Sequence, residues 1–167
     1  MSAILIGIPI MLFAAILQSS LVSNFTLLSG MADLVLVVII AWTIDGRVKY
    51  AWVWAAFGAG FVSLFSALPF FIYVISYGLV AWIAFIFHRR IWQAPLLIML
   101  GVTLLGTVIE QVLSMLILQL NGTPLSFLTG FTKVTLPSVL LNLLVALPIY
   151  AIFRYLAGKV YPGKQEE

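Results

Sequence analysis

A few polar side chains stand deep inside otherwise apolar stretches of this sequence: Gln18, Asp33, Ser63, Tyr77, Glu110, Gln111 and Asn142. Carboxylates, carboxamides and hydroxyls of this kind bind protons, cations or one another. Thr103, Thr107, Glu110, Gln111 and Ser114 recur at spacings of three and four, which places them on one face of a helix. Ser138 and Asn142, four apart, repeat the pattern further on. Glu110 has no basic residue near it in sequence, and a bare carboxylate in hydrocarbon is prohibitive, so it needs a proton, water or neutral donors. Two arrangements fit these groups. One is a clasp of hydrogen bonds that ties helices together; the other is a cavity or a partner-binding face.

Other chemistry has no residues to carry it. There is no cysteine, so no disulfide, thiolate metal site or thiol nucleophile. His88, the single histidine, stands beside Arg89 and Arg90 in a basic segment, where it reads as a solvated neighbour rather than a catalyst. No Gly-Lys-Ser/Thr loop could cradle phosphate. No catalytic residue, metal or cofactor is therefore expected, and the polar groups are expected to bind rather than to turn over a substrate.

The elements that must position them are membrane helices. Of 167 residues, 64% are hydrophobic and 8% charged, against about 25% charged in an ordinary soluble domain. A span needs roughly 20 apolar residues. Six candidates satisfy this, at about 3–24, 27–44, 51–68, 70–87, 94–120 and 135–156, with no water-soluble domain left over. Pro69 divides the third from the fourth, because the uninterrupted stretch is too long for one crossing. The first reads as an uncleaved helix, since it lacks a basic leader.

Charge sets the orientation. With both termini in the cytoplasm, that side holds Arg47, Lys49, Arg89, Arg90, Arg154, Lys159 and Lys164, and the opposite side only Lys133. The net charge of +3 is an orientation signal and not a nucleic-acid surface. Trp42, Trp52, Trp54 and Trp92 flank the basic loops as expected interfacial anchors, with ordinary packing an equal reading for Trp54. Threaded this way, all six spans bring polar groups to similar depths in the outer half of the membrane.

Ala56 with Gly60, and Ala55 with Ala59, Ser63 and Ala67, make small-residue faces that permit close helix packing, within the chain or with a partner. Leu125, Phe127, Leu128 and Phe131 in the connection before the last span suit a short interfacial helix. Pro148, deep in that span, should kink it and free the carbonyl of Leu144.

Several of these residues also carry a resemblance. Ala32-Asp33-Leu34-Val35 followed by Ala41-Trp42, Tyr77 before the basic loop, and Leu136-Pro137-Ser138-Val139-Leu140-Leu141-Asn142 running through Leu147-Pro148-Ile149-Tyr150 to Arg154 resemble the MreD family. This is the integral membrane component of the bacterial wall-elongation complex. The chain departs from the family pattern where Ser63, Ser66 and Ala67 precede Pro69 without an acidic residue or a glycine. The resemblance implies an all-α six-helix bundle in the bacterial cytoplasmic membrane, with a fold like that of the S component of energy-coupling-factor transporters. It further implies a non-catalytic scaffold that binds an MreC-like partner and wall-synthesis proteins. The alternatives are a substrate-binding S component of such a vitamin transporter, or a structural subunit of another membrane complex.

Overall fold

The computed structural model describes residues 2–20, 24, 26–45, 48, 50–90, 94–124 and 126–160. Among these, the helices are α1 (Ser2–Ser20), α2 (Leu34–Ile44), α3 (Ala51–Phe65), α4 (Phe70–Arg90), α5 (Pro95–Leu120), the short α6 (Phe127–Gly130) and α7 (Leu136–Val160). A π-helical turn, Phe131–Thr135, joins α6 to α7. Three stretches are long and apolar enough to cross a membrane: Phe70–Arg89, Pro95–Leu120 and Phe127–Val160. The apolar helices Ile6–Ser20, Leu34–Ile44 and Ala51–Phe65 are shorter.

The centre of the bundle is α2. Its sequence is apolar on every side, and a helix without a polar face belongs inside. Every residue from Val35 to Ile44 is buried, with α1, α3, α4, α5 and α7 all packed around it. Large side chains left on the outside, such as Phe13, Leu64, Trp82, Leu97, Leu144 and Ile152, give the bundle an apolar exterior.

Here the expected second span needs correction. Residues 27–44 do not form one helix: α2 has 11 residues, about 16 Å of rise, roughly half a hydrocarbon core. Leu27 to Asp33 is a non-helical arm instead. It opens with a tight turn in which Leu27 and Gly30 exchange N–H···O bonds of 3.0 and 2.9 Å, with Leu28 held at φ 56°. That left-handed conformation costs a leucine about 1 kcal/mol. Asp33 then caps the helix, its Oδ1 accepting from the N–H of Leu36 at 2.9 Å.

The arm lies against the start of α7, and two residues explain how. A Cβ on Gly30 would sit 2.6 Å from the carbonyl oxygen of Val134 and 2.7 Å from the nitrogen of Ser138, so only glycine fits there. Pro137 has no N–H to give the carbonyl of Lys133, four residues earlier. The N–H of Ser29 takes that place at 3.1 Å.

Other boundaries shift as well. Helix α3 stops at Phe65, whereas α4 runs on to Arg90, so His88 and Arg89 sit on a helix end and not in a loop. Helix α7 extends to Val160 with Pro148 inside it. Both Pro148 and Leu144 are exposed, on the outer side of the helix. Arg89, Arg154 and Lys159 lie on the last turns of α4 and α7, at the opposite end of the bundle from Lys133. Arg47, Lys49, Trp92, Leu125 and Lys164 fall outside the described residues.

One expectation about packing is overturned. Trp42 is not an interfacial anchor, and Trp54 takes the packing role: both are buried, stacked with ring centroids 4.1 Å apart, and Phe153 meets Trp42 edge-on at 6.2 Å. Trp52, at 69% exposure, does lie on the surface. Of the two small-residue faces, the one with Ala56 and Gly60 is not closely packed within the chain: Ala56 is exposed, and a Cβ on Gly60 would find open space. The close-packed face of α3 is Ala55, Gly58 and Ala59, one position round the helix. A Cβ on Gly58 would come within 2.8 Å of Val35 and 3.0 Å of Ile39 on α2. The face that meets α2 is decided by how α3 is rotated, which residue spacing alone leaves open.

Candidate functional site

Breaking a helix at membrane depth strands backbone N–H groups that no water can reach, and such a break is tolerated only where protein or a cavity takes them over. Four side chains do this around the start of α2. Ser138 Oγ accepts from the N–H of Met31 at 3.1 Å, and Asn142 Oδ1 from that of Asp33 at 2.6 Å. Gln18 Oε1 accepts from Val35 at 3.0 Å, and Asp33 Oδ1 from Leu36. The polar residues on α1 and α7 thus face the half-helix because its backbone needs them.

The same groups reach outward to the other helices. Tyr77 on α4 donates its hydroxyl to Asp33 Oδ2 at 2.7 Å. Asn142 Nδ2 donates to Thr107 Oγ1 at 2.8 Å, and Thr107 in turn donates to the carbonyl of Thr103 at 2.7 Å. One connected path therefore links α2, α4, α5 and α7. Asp33, Thr107 and Asn142 are all buried, where the low local dielectric strengthens each bond.

Beside this node lies a cavity of about 440 Å³. Its walls come from the end of α1, the arm, the end of α3, the start of α4, the second half of α5 and the start of α7. Asp33, Tyr73, Glu110, Ser114 and Ser138 line its buried part, whereas Ser19, Ser29, Met31, Phe65 and Ala67 are exposed and form its mouth. Ser66 and Tyr73 close one side with a hydroxyl–hydroxyl bond of 2.6 Å. Glu110 Oε1 accepts from Ser114 at 3.0 Å, one turn along α5.

Of the residues singled out in the sequence, Gln18, Asp33, Tyr77 and Asn142 meet in the network, and Gln18, Asp33, Glu110 and Gln111 line the cavity. The stripe on α5 points inward, with Thr103, Thr107, Glu110 and Ser114 buried and Gln111 half-buried. Ser63 takes no part: its hydroxyl donates to the carbonyl of Gly60 on its own helix at 2.7 Å. Ser66, one turn further, stands on the cavity wall in its place. Sequence reading also missed the arm residues Ser29 and Met31. The signal was there, in Ser29-Gly30 as a turn and Asp33 as an N-cap before an unbroken apolar run.

Among the described residues no three His, Asp or Glu side chains come together as metal ligands. The architecture is that of a helical, multi-pass membrane protein with a polar cavity at one end. Set against models of protein families, curated proteins and solved structures, the chain matches none.

Proposed function

We propose that this protein is a non-catalytic membrane scaffold similar to MreD, which binds an MreC-like partner in the bacterial wall-elongation complex. One observation supports the reading above others. Asp33, Tyr77, Ser138 and Asn142, scattered over the sequence stretches that resemble the family, converge on the start of a single half-helix. Residues that build one shared device are the ones a family pattern retains, because losing any of them strands a buried polar group. In this reading the Arg89, Arg154 and Lys159 end faces the cytoplasm, both termini are inside, and the cavity opens outward. The small-residue strip of exposed Ala56 and half-buried Gly60, with open space beyond the Gly60 Cβ position, is available to a partner helix.

The test is purification from the native membrane in mild detergent, followed by identification of what is retained. Recovery of MreC-like and wall-synthesis proteins is the expected result. Stoichiometric recovery of coupling ATPases would overturn it in favour of an S component of a vitamin transporter.

A further inference from the structure

The cavity has one chemical feature the network does not use. Two acids line it, and they are placed differently. Asp33 has both oxygens engaged, Oδ1 with the N–H of Leu36 and Oδ2 with the Tyr77 hydroxyl. Glu110 is only 6% exposed, yet hydrogen-bonded through Oε1 alone, to Ser114. Among the described residues its Oε2 has no donor, and Glu110 lines the cavity. No Lys, Arg or His among the described residues lines the cavity to supply a counter-charge.

The rest of the lining states what would fit. Gln111, Ser66 and Tyr73 offer hydrogen-bonding groups, and Tyr73 and Phe65 offer aromatic rings. A carboxylate with a free oxygen beside aromatic faces is complementary to a cation that carries N–H donors and some apolar body. A volume of about 440 Å³ lies at the lower end of the range for small-molecule sites, which run from about 300 to 1,000 Å³. An anion would meet two acids and no base.

We propose that this cavity binds a small organic ammonium, whose N–H groups are received by Glu110 Oε2. The ammonium enters by the mouth between Ser29 and Phe65, and its carbon skeleton rests against Phe65 and Tyr73. Glu110 is the specificity residue, because it selects by charge. Asp33 maintains the wall. The inference stands apart from the scaffold reading, since ligand binding and partner recovery are separate measurements.

The experiment uses the full chain in phosphatidylcholine nanodiscs and equilibrium dialysis with radiolabelled phenethylammonium, with empty discs correcting for partition into lipid. Saturable uptake of one probe per chain is expected. Excess unlabelled phenethylammonium should displace it, neutral phenylethanol should compete about tenfold more weakly or worse, and anionic phenylacetate should not compete at all. Glu110→Gln should weaken binding by about tenfold or more, whereas Leu97→Ala, on the outer face of α5 and outside the cavity, should leave it unchanged. Uptake equal to that of empty discs, equal competition by phenylethanol, or unaltered binding by a folded Glu110→Gln variant would each overturn the proposal. The charge series on the unaltered chain decides the matter even if that variant does not fold. Repeating the titration in phosphatidylethanolamine discs separates two sources of the ammonium. Weaker apparent binding there identifies a lipid headgroup as the occupant, and unchanged binding identifies a soluble amine.

Discussion

The two ends of α2 are anchored by different forces. At its C-terminal end Trp42, itself fully buried, is stacked on Trp54 and edge-on to Phe153. Shape complementarity holds this end. At its N-terminal end the contacts are hydrogen bonds: Ser138, Asn142, Gln18 and Asp33 take up N–H groups, and Tyr77 and Thr107 extend the network to α4 and α5. Lipid offers no hydrophobic drive for helices to associate, so both kinds of contact must carry the assembly. The polar end is polar because the helix stops there. Its side chains replace bonds that a longer helix would have made with itself.

That contrast can be broken or sharpened by substitution, with stability read from reversible unfolding in mixed micelles. Trp42→Ala empties the aromatic end and should cost about 4 kcal/mol, the range of a buried tryptophan removed from a packed core. Asn142→Leu keeps the volume but strands the N–H of Asp33 and removes the donor to Thr107 Oγ1, and about 3 kcal/mol is expected. An Asn142→Leu chain as stable as the parent would mean the polar end is also held by shape. Next in size, Gly58→Ala presses a Cβ into Val35 and should cost about 2 kcal/mol, while Gly60→Ala gains helix propensity and should be neutral or slightly stabilising. Equal effects of the two would show that α3 is rotated from the face described. The smallest change is Tyr77→Phe, which removes one bond to Asp33 and should cost about 1 kcal/mol, detectable also as faster hydrogen exchange at the N–H of Leu36.

Much of this architecture was legible in the residues themselves. The inward face of α5 followed from hydroxyl and carboxyl groups three and four apart, because helical periodicity is a local property. The apolar stretches and the end that collects Arg89, Arg154 and Lys159 followed from hydropathy and charge. What misled was the assumption that an apolar run is a helix throughout. Leu27 to Met31 is apolar enough for a span, yet Gly30 fits against α7 and Ser29 satisfies the carbonyl that Pro137 leaves open. Trp42 misled in the same way, since tryptophan near a basic loop suits an interface as well as it suits a stack with Trp54.

By itself, the order of amino acids determined that this chain seeks lipid, which of its ends carries the described cations, and which face of α5 is polar. Those properties belong to single residues and their near neighbours. Only the tertiary structure decided where α2 begins, which serine joins the cavity and which tryptophans are buried. A backbone N–H can leave its helix only when a side chain from a distant part of the chain receives it, and the identity of that partner is written in no local segment.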